Sequence, residues 1–180
     1  MAETTVLVLV GSLRAASINR QIAETAIENA PDGVELTVFD RLGELPFYNE
    51  DLDTADAPEP VVALRAAAAG ADAALVITPE YNGSIPGVLK NAIDWLSRPF
   101  GNSALKDKPA AVIGTALGQY GGVWAHDETR KSFGIAGPRV IEGLELSLPA
   151  KALDGRHPRE AAELVANVRE IVGKLAAEAG

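Results

Sequence analysis

The sequence predicts an α/β fold in which helices cover both faces of a parallel sheet. Segments rich in valine, leucine and alanine have the length of strands, and segments with helically spaced apolar residues lie between them. Such alternation of strand and helix is typical of a parallel sheet with right-handed crossovers. Nearly continuous apolar strands also indicate a sheet that is buried on both faces.

The first half of the chain predicts two strands, one helix and an irregular region. Residues 4–10 form an apolar strand, and residues 16–30 repeat isoleucine and alanine at helical spacing. The apolar face of that helix, which includes Ile27, should pack on the sheet. Residues 34–39 alternate apolar and polar side chains, as expected of a more exposed strand near an edge. Residues 40–60 carry no regular pattern.

The second half continues the alternation. In order, we predict a helix over 59–69, a strand over 73–78, a helix over 86–96, a strand over 109–115, a helix over 123–133, a bent edge strand over 139–148 and a last helix over 158–178. Pro86 suits the first turn of its helix. Five strands in this alternation suggest the order 2-1-3-4-5 of a flavodoxin-like three-layer sandwich.

Composition limits the classes of function. The chain has 180 residues, 47 % of them hydrophobic, which argues for one domain over residues 1–180. Its formal charge of −9 argues against nucleic acid or membrane as a partner. Without cysteine, and without histidine or carboxylate groups at ligand spacing, no metal site is expected. With neither a signal peptide nor a long apolar run recognisable, we expect a cytoplasmic protein.

Three loops of unusual composition predict a ligand site. In a sheet of this order, ligands bind beyond the carboxyl ends of the strands, where the strand order reverses. The loops after the first, third and fourth strands meet there, and they comprise residues 11–19, 79–87 and 115–122.

The first of these loops can bind a terminal phosphate. Ser12, Arg14, Ser17 and Asn19 can donate hydrogen bonds beside a helix N-terminus, where unpaired N–H groups favour an anion. The alternative is an ordinary strand–helix turn with Ser17 as N-cap. Neither dinucleotide nor triphosphate fingerprints are present. The glycine-rich second and third loops can approach a flat ring, and a phosphate joined to a planar polar ring describes FMN.

These loops resemble the NADPH-dependent FMN reductase family, which includes quinone, chromate and azo-dye reductases. The similarity is carried by Gly-Ser-Leu-Arg at 11–14, Leu-Pro-Phe-Tyr-Asn at 45–49, Pro-Glu-Tyr-Asn-Gly-Ser-Ile-Pro-Gly at 79–87, Leu-Lys-Asn-Ala-Ile-Asp-Trp at 89–95 and the glycines at 118, 121 and 122. It extends over nearly the whole chain.

The resemblance implies a set of FMN-binding residues. They are Ser12, Leu13, Arg14, Ser17 and Asn19 at the phosphate, Pro79, Glu80, Tyr81, Asn82 and Gly83 along the isoalloxazine and ribityl chain, and Thr115, Gly118 and Gly121 at the other edge of the ring. A homodimer or homotetramer is also implied, with Phe47, Tyr48, Trp95 and Leu96 as interface candidates. From the sequence alone, a Phe47 that pins its loop to the core is an equally open alternative.

The implied activity is ping-pong oxidoreduction. NADPH or NADH would pass a hydride to flavin N5, and an acceptor would then replace the oxidised nicotinamide. Quinones, flavins, azo or nitro compounds and metal oxyanions all remain open as acceptors. No side chain need act as acid or base, because backbone donors at Asn82 and Gly83 would orient the ring and stabilise its charge. His126 is expected to be solvated.

Two other functions stay open on this fold. A flavodoxin-type electron carrier would bind FMN without reacting directly with NAD(P)H, although such carriers usually have Thr and Ser where this loop has Arg14. A hydrolase lacks support, since no nucleophile elbow with an ordered triad is visible.

Overall fold

A computed structural model describes residues 3–180, so Met1 and Ala2 of the predicted domain lie outside the described part. Its parallel sheet has the order β2-β1-β3-β4-β5, which confirms the flavodoxin-like prediction. The strands are β1 (Thr4–Val10), β2 (Val34–Val38), β3 (Ala73–Ile77), β4 (Pro109–Ala116) and β5 (Arg139–Pro149).

Two helical layers cover the sheet. The helices are α1 (Ile18–Glu28), α2 (Glu59–Gly70), α3 (Gly87–Leu96), α4 (Val123–Ala136) and α5 (Ala162–Ala177). Side chains of α2, α3 and α4 join one core cluster, and those of α1 and α5 join the other. Successive residues of β1 alternate between the clusters, with Leu7 in the first and Val8 in the second, because strand side chains point to opposite faces. Among residues 3–180, no helix is both long and apolar enough to span a bilayer.

Two helices begin later than predicted, because a residue before each of them has an extended backbone. Helix α1 begins only at Ile18, because Ser17 is extended with ψ 130°. Ile27 was predicted to pack on the sheet but is exposed, so that assignment is wrong. The last predicted helix is split, because Ala161 is extended between a 3-10 turn at Pro158–Glu160 and α5.

The predicted bend in the edge strand is confirmed. Strand β5 is continuous, but its register against β4 shifts between Ala110 and Val112. Gly143 lies near that shift with a φ of 79°, a conformation that glycine adopts at no steric cost.

Two of the four predicted interface residues are wrong. Trp95 and Leu96 are buried in the core, so their side chains cannot contact a partner subunit. Tyr48 packs edge-on against Trp95 with ring centroids 4.9 Å apart, and the Trp95 indole N–H donates to the Pro46 carbonyl over 2.8 Å. Tyr48 therefore holds the loop down, whereas Phe47 is 85 % exposed and does not pin it.

Candidate cofactor site

A cleft of about 540 Å³ opens at the carboxyl edge of the sheet. The three loops predicted to meet all contribute to its wall. The predicted residues that line it are Ser12, Arg14, Ser17, Asn19, Pro79, Glu80, Tyr81, Thr115 and Gly118. The topology thus brings together side chains that are about 100 residues apart in sequence.

The end of the cleft beside α1 is rich in hydrogen-bond donors. Ser12 and Ser17 are almost buried, and the Ser17 side chain makes no capping bond to α1 although Ser17 occupies the N-cap position. Arg14 forms none of the ion pairs found among residues 3–180. The hydroxyls, the guanidinium and the helix N-terminus can therefore all serve an anion.

Asn19 joins the first loop to the third. Its side-chain amide donates to the Thr115 carbonyl over 2.9 Å and accepts from the Thr115 N–H, also over 2.9 Å. This reciprocal pair occupies the Asn19 oxygen and one of its two N–H groups, which leaves one N–H for a ligand. Asn19 thus has a structural role that the sequence analysis did not identify.

The second loop contains a tight reverse turn. The backbones of Tyr81 and Ser84 exchange two hydrogen bonds of 3.1 Å, with Asn82 and Gly83 between them at φ 53° and 70°. Two positive φ angles are the signature of a type I′ turn, for which Asn-Gly is the preferred pair. Within residues 3–180, the N–H groups of Asn82 and Gly83 donate to no protein acceptor, so they remain available at the cleft mouth.

Glu80 connects the cleft to α4. Its carboxylate lines the cleft and also accepts from the Ala125 N–H over 3.2 Å, in the first turn of α4. A carboxylate is favourable there because the helix N-terminus carries partial positive charge. Glu80 is consequently fixed in position.

Four predicted residues do not form the cleft wall. Leu13 points outward beside Gly43, Asn82 and Gly83 form the turn tip, and Gly121 packs on the backbone of β5. The wall also contains residues that the sequence analysis did not assign, namely Ile18, Ala116, Leu117 and Ala150. Ala116 and Leu117 lie within the predicted third loop, whereas Ala150 arrives there only because Pro149 of β5 pairs with Ala116.

His126 is buried, so the prediction that it is solvated is wrong. Its Nε2 lies 2.8 Å from the Thr78 carbonyl, which can only accept, so Nε2 carries the proton. Its Nδ1 then accepts from the Ser147 hydroxyl over 2.7 Å. His126 therefore holds the start of the second loop against α4 and β5.

Stability should depend on pH through His126. Burial lowers the pKa of His126 below its ordinary value of 6.5, and Arg130 lowers it further, against the opposing effect of the Thr78 carbonyl. The unfolded chain then binds the proton more readily than the folded one. The contribution of His126 to the free energy of unfolding is expected to be nearly constant above about pH 7.5 and to fall as the pH drops through about 6.5, by at most about 1.4 kcal/mol per pH unit.

Urea unfolding between pH 5 and 8 measures this dependence. His126→Gln, which cannot titrate, is the control and should lose less stability than the wild type as the pH falls. Equal losses in the two proteins would assign the acid sensitivity to other groups.

The cleft fits FMN in chemistry as well as in position. A cation, two hydroxyls and a helix N-terminus at one end suit a phosphate, and the volume of the cleft, with Tyr81 and Gly118 in its wall, suits a ligand that carries a ring. Among the described residues, no group of three or more His, Asp or Glu side chains is placed to hold a metal ion.

Known proteins are similar to this chain in sequence and in fold. The model of a family described as NADPH-dependent FMN reductase matches residues 4–152. A 2-hydroxy-1,4-benzoquinone reductase of a Burkholderia species is 46 % identical over 125 residues, which are 69 % of this chain and 67 % of that protein. A quinone reductase of Pseudomonas putida is 46 % identical over 127 residues, 71 % of this chain and 68 % of that one.

A solved structure is similar along almost its whole length. The flavoenzyme FerB of Paracoccus denitrificans, an NAD(P)H:(acceptor) oxidoreductase, superposes with a TM-score of 0.83 at 38 % identity. The match covers 97 % of this chain and 98 % of FerB.

Proposed function

This chain belongs to the NADPH-dependent FMN reductase family, and from that premise we propose that its cleft holds FMN and reduces quinones by a ping-pong mechanism. The chain is an oxidoreductase with FMN as cofactor and NAD(P)H as co-substrate. The observation that supports the proposed site is the donor-rich end of the cleft at Ser12, Arg14 and Ser17, in the same cleft that residues of the second and third loops line.

Residues of this chain bind and orient the cofactor. Arg14 would neutralise charge on the phosphate and the two hydroxyls would donate hydrogen bonds to it, while Asn19 keeps their loop against β4. The free N–H groups of Asn82 and Gly83 would donate to the polar edge of the ring and stabilise negative charge there. When bound, FMN would supply the two-electron redox chemistry that links oxidation of NAD(P)H to reduction of an acceptor. Overall, NAD(P)H, a proton and a quinone yield NAD(P)⁺ and a hydroquinone.

The arrangement of the loops supports the ping-pong order. With FMN in the cleft, both substrates would approach the ring between the same three loops, so the nicotinamide would have to leave before the acceptor enters. Flavins, azo and nitro compounds and metal oxyanions are further acceptors that we propose on the same grounds. Parallel lines in double-reciprocal plots would support this order, and intersecting lines would contradict it.

A visible spectrum before and after anaerobic NADPH tests the function directly. Flavin bands that bleach on addition of NADPH are expected. Bands that persist would favour a flavodoxin-type electron carrier, and a protein that stays colourless with excess FMN would contradict the assignment of all three loops.

We also propose a homodimer or homotetramer in the cytoplasm, where NAD(P)H is available. Phe47 remains the exposed member of the predicted interface group, and exposed apolar side chains of this size favour contact with a partner. Sedimentation velocity distinguishes the two assemblies from a monomer.

Replacing Asn82 with proline should slow FMN reduction by NADPH at least about tenfold, because oxyanion-type donors each contribute a factor of this size or more. Proline lacks the N–H and cannot adopt the φ of 53° that this turn requires. Asn82→Gly keeps both properties and should react at nearly the wild-type rate. Stopped-flow absorbance of the FMN-loaded proteins measures both rates, and equal rates for the two variants would exclude the proposed role of this turn.

A further inference from the structure

Exposed aromatic side chains gather beside the mouth of the cleft. Tyr120 precedes α4 and Trp124 lies in its first turn, with ring centroids 5.5 Å apart and planes inclined at 56°. Each is 55 % exposed. Leu117, three residues before Tyr120, is 90 % exposed and belongs to the cleft wall. Leu117, Tyr120 and Trp124 are here called the aromatic shelf, which adjoins that wall through Leu117.

The aromatic shelf is fixed against the second loop. The Ser84 hydroxyl donates to Glu128 of α4 over 2.5 Å, and Glu80 accepts from the Ala125 N–H. These two bonds hold the first turns of α4 to both arms of the Asn82–Gly83 turn. The position of Trp124 relative to the cleft mouth is therefore set by the protein and does not depend on a ligand.

Gly83 leaves one edge of Trp124 uncovered. A Cβ atom added to Gly83 would lie 3.8 Å from Trp124 Cε3, in ordinary van der Waals contact with the indole. With glycine at this position, no side chain from the tip of the turn occupies that contact.

We propose that the aromatic shelf is the part of the acceptor site that binds planar fused-ring acceptors, with Trp124 as its main stacking residue. The inference rests on the proposed function, since the acceptor must stand next to the flavin ring in the cleft. Stacking on an indole favours aromatic ligands and offers nothing comparable to a compact inorganic ion. Trp124 therefore sets acceptor preference and takes no part in hydride transfer.

The alternative to an acceptor on the aromatic shelf is contact with a second copy of this chain. Phe100 and Ile135, which are also exposed, line a separate groove between the ends of α3 and α4. Both helices begin at the cleft and run away from it, so that groove lies at the opposite edge of the sheet. The aromatic shelf differs because it joins the cofactor cleft through Leu117.

Acceptor kinetics of the FMN-loaded enzyme test the proposal. With saturating NADPH, Trp124→Ala should lower kcat/KM for 1,4-naphthoquinone relative to that for ferricyanide by roughly three- to tenfold, the range expected for one aromatic pair. Trp124→Phe keeps a stacking ring and should restore most of the difference. Phe100→Ala, which removes a more exposed ring far from the cleft, should change neither value.

Equal losses for both acceptors, or none, would overturn the proposal. So would a Trp124→Ala enzyme that dissociates into smaller species in sedimentation velocity without changing the acceptor ratio, which would identify the aromatic shelf as a contact between copies. Failure of the proposed function has a different signature, because wild-type enzyme would then oxidise NADPH with neither acceptor.

Fluorescence tests the aromatic shelf without turnover. The chain has two tryptophans, and Trp95 is buried. Titration of the FMN-loaded protein with 1,4-naphthoquinone, without NADPH, should quench emission saturably in the wild type and not in Trp124→Phe. Quenching that is the same in both proteins would overturn the proposal.

Discussion

Replacing Arg14 with alanine is expected to weaken FMN binding about ten- to a hundredfold, the equivalent of one charge-assisted hydrogen-bond partner. Arg14 lines the cleft beside Ser12 and forms no ion pair within residues 3–180, so its guanidinium is available to a phosphate. Its side chain is exposed and outside both core clusters, so stability should change little. Titration of the apoprotein by flavin fluorescence gives the dissociation constants.

Riboflavin separates a phosphate contact from a general effect on the cleft. Because riboflavin lacks the phosphate, its affinity should be nearly the same in wild type and Arg14→Ala. Arg20→Ala is the matched charge control, since Arg20 lies outside the cleft wall and only approaches Glu24 at 4.0 Å. An equal loss of affinity for FMN and riboflavin would exclude Arg14 as the phosphate ligand.

The fold was predictable because its determinants are local and repetitive. A strand buried on both faces must be apolar, and β1 from Val6 to Val10 and the whole of β3 are. Right-handed crossovers then leave few ways to order the strands. The meeting of the three loops follows from that order, since the carboxyl ends of β1, β3 and β4 lie side by side where it reverses.

Individual roles were harder to predict where a side chain has its partner far away in sequence. Asn19 is a polar residue near a helix start, and nothing nearby in the sequence indicates that its amide pairs with Thr115, 96 residues later. His126 has a local pattern typical of an exposed helix position, yet Thr78, directly after β3, and Ser147 of β5 both bind it. Such hydrogen bonds leave no periodicity in the sequence, so only the assembled structure identifies them.

Gly114 is where these long-range contacts converge, and Gly114→Ala should be the most destabilising of the substitutions considered. A Cβ atom there would lie 2.0 Å from the Thr78 carbonyl oxygen, 2.7 Å from His126 Nε2 and 2.9 Å from Asn19 Oδ1. The oxygen belongs to the backbone of a buried segment and cannot turn aside. We expect a loss of about 3–5 kcal/mol in the free energy of unfolding, from overpacking and from buried hydrogen bonds that must open.

Urea unfolding of the apoprotein measures that loss, and Gly134→Ala is the matched control. Gly134 lies inside α4, where an added Cβ would meet only a Val140 methyl group at 3.7 Å, so alanine should stabilise the helix by about 0.5–1 kcal/mol. Because Asn19 and Thr78 support the first and second loops, any folded Gly114→Ala protein should also bind FMN more weakly. A midpoint close to that of the wild type would mean that β4 can shift away from Thr78. The cleft would then be held together less rigidly than the bonds of Asn19 and His126 imply.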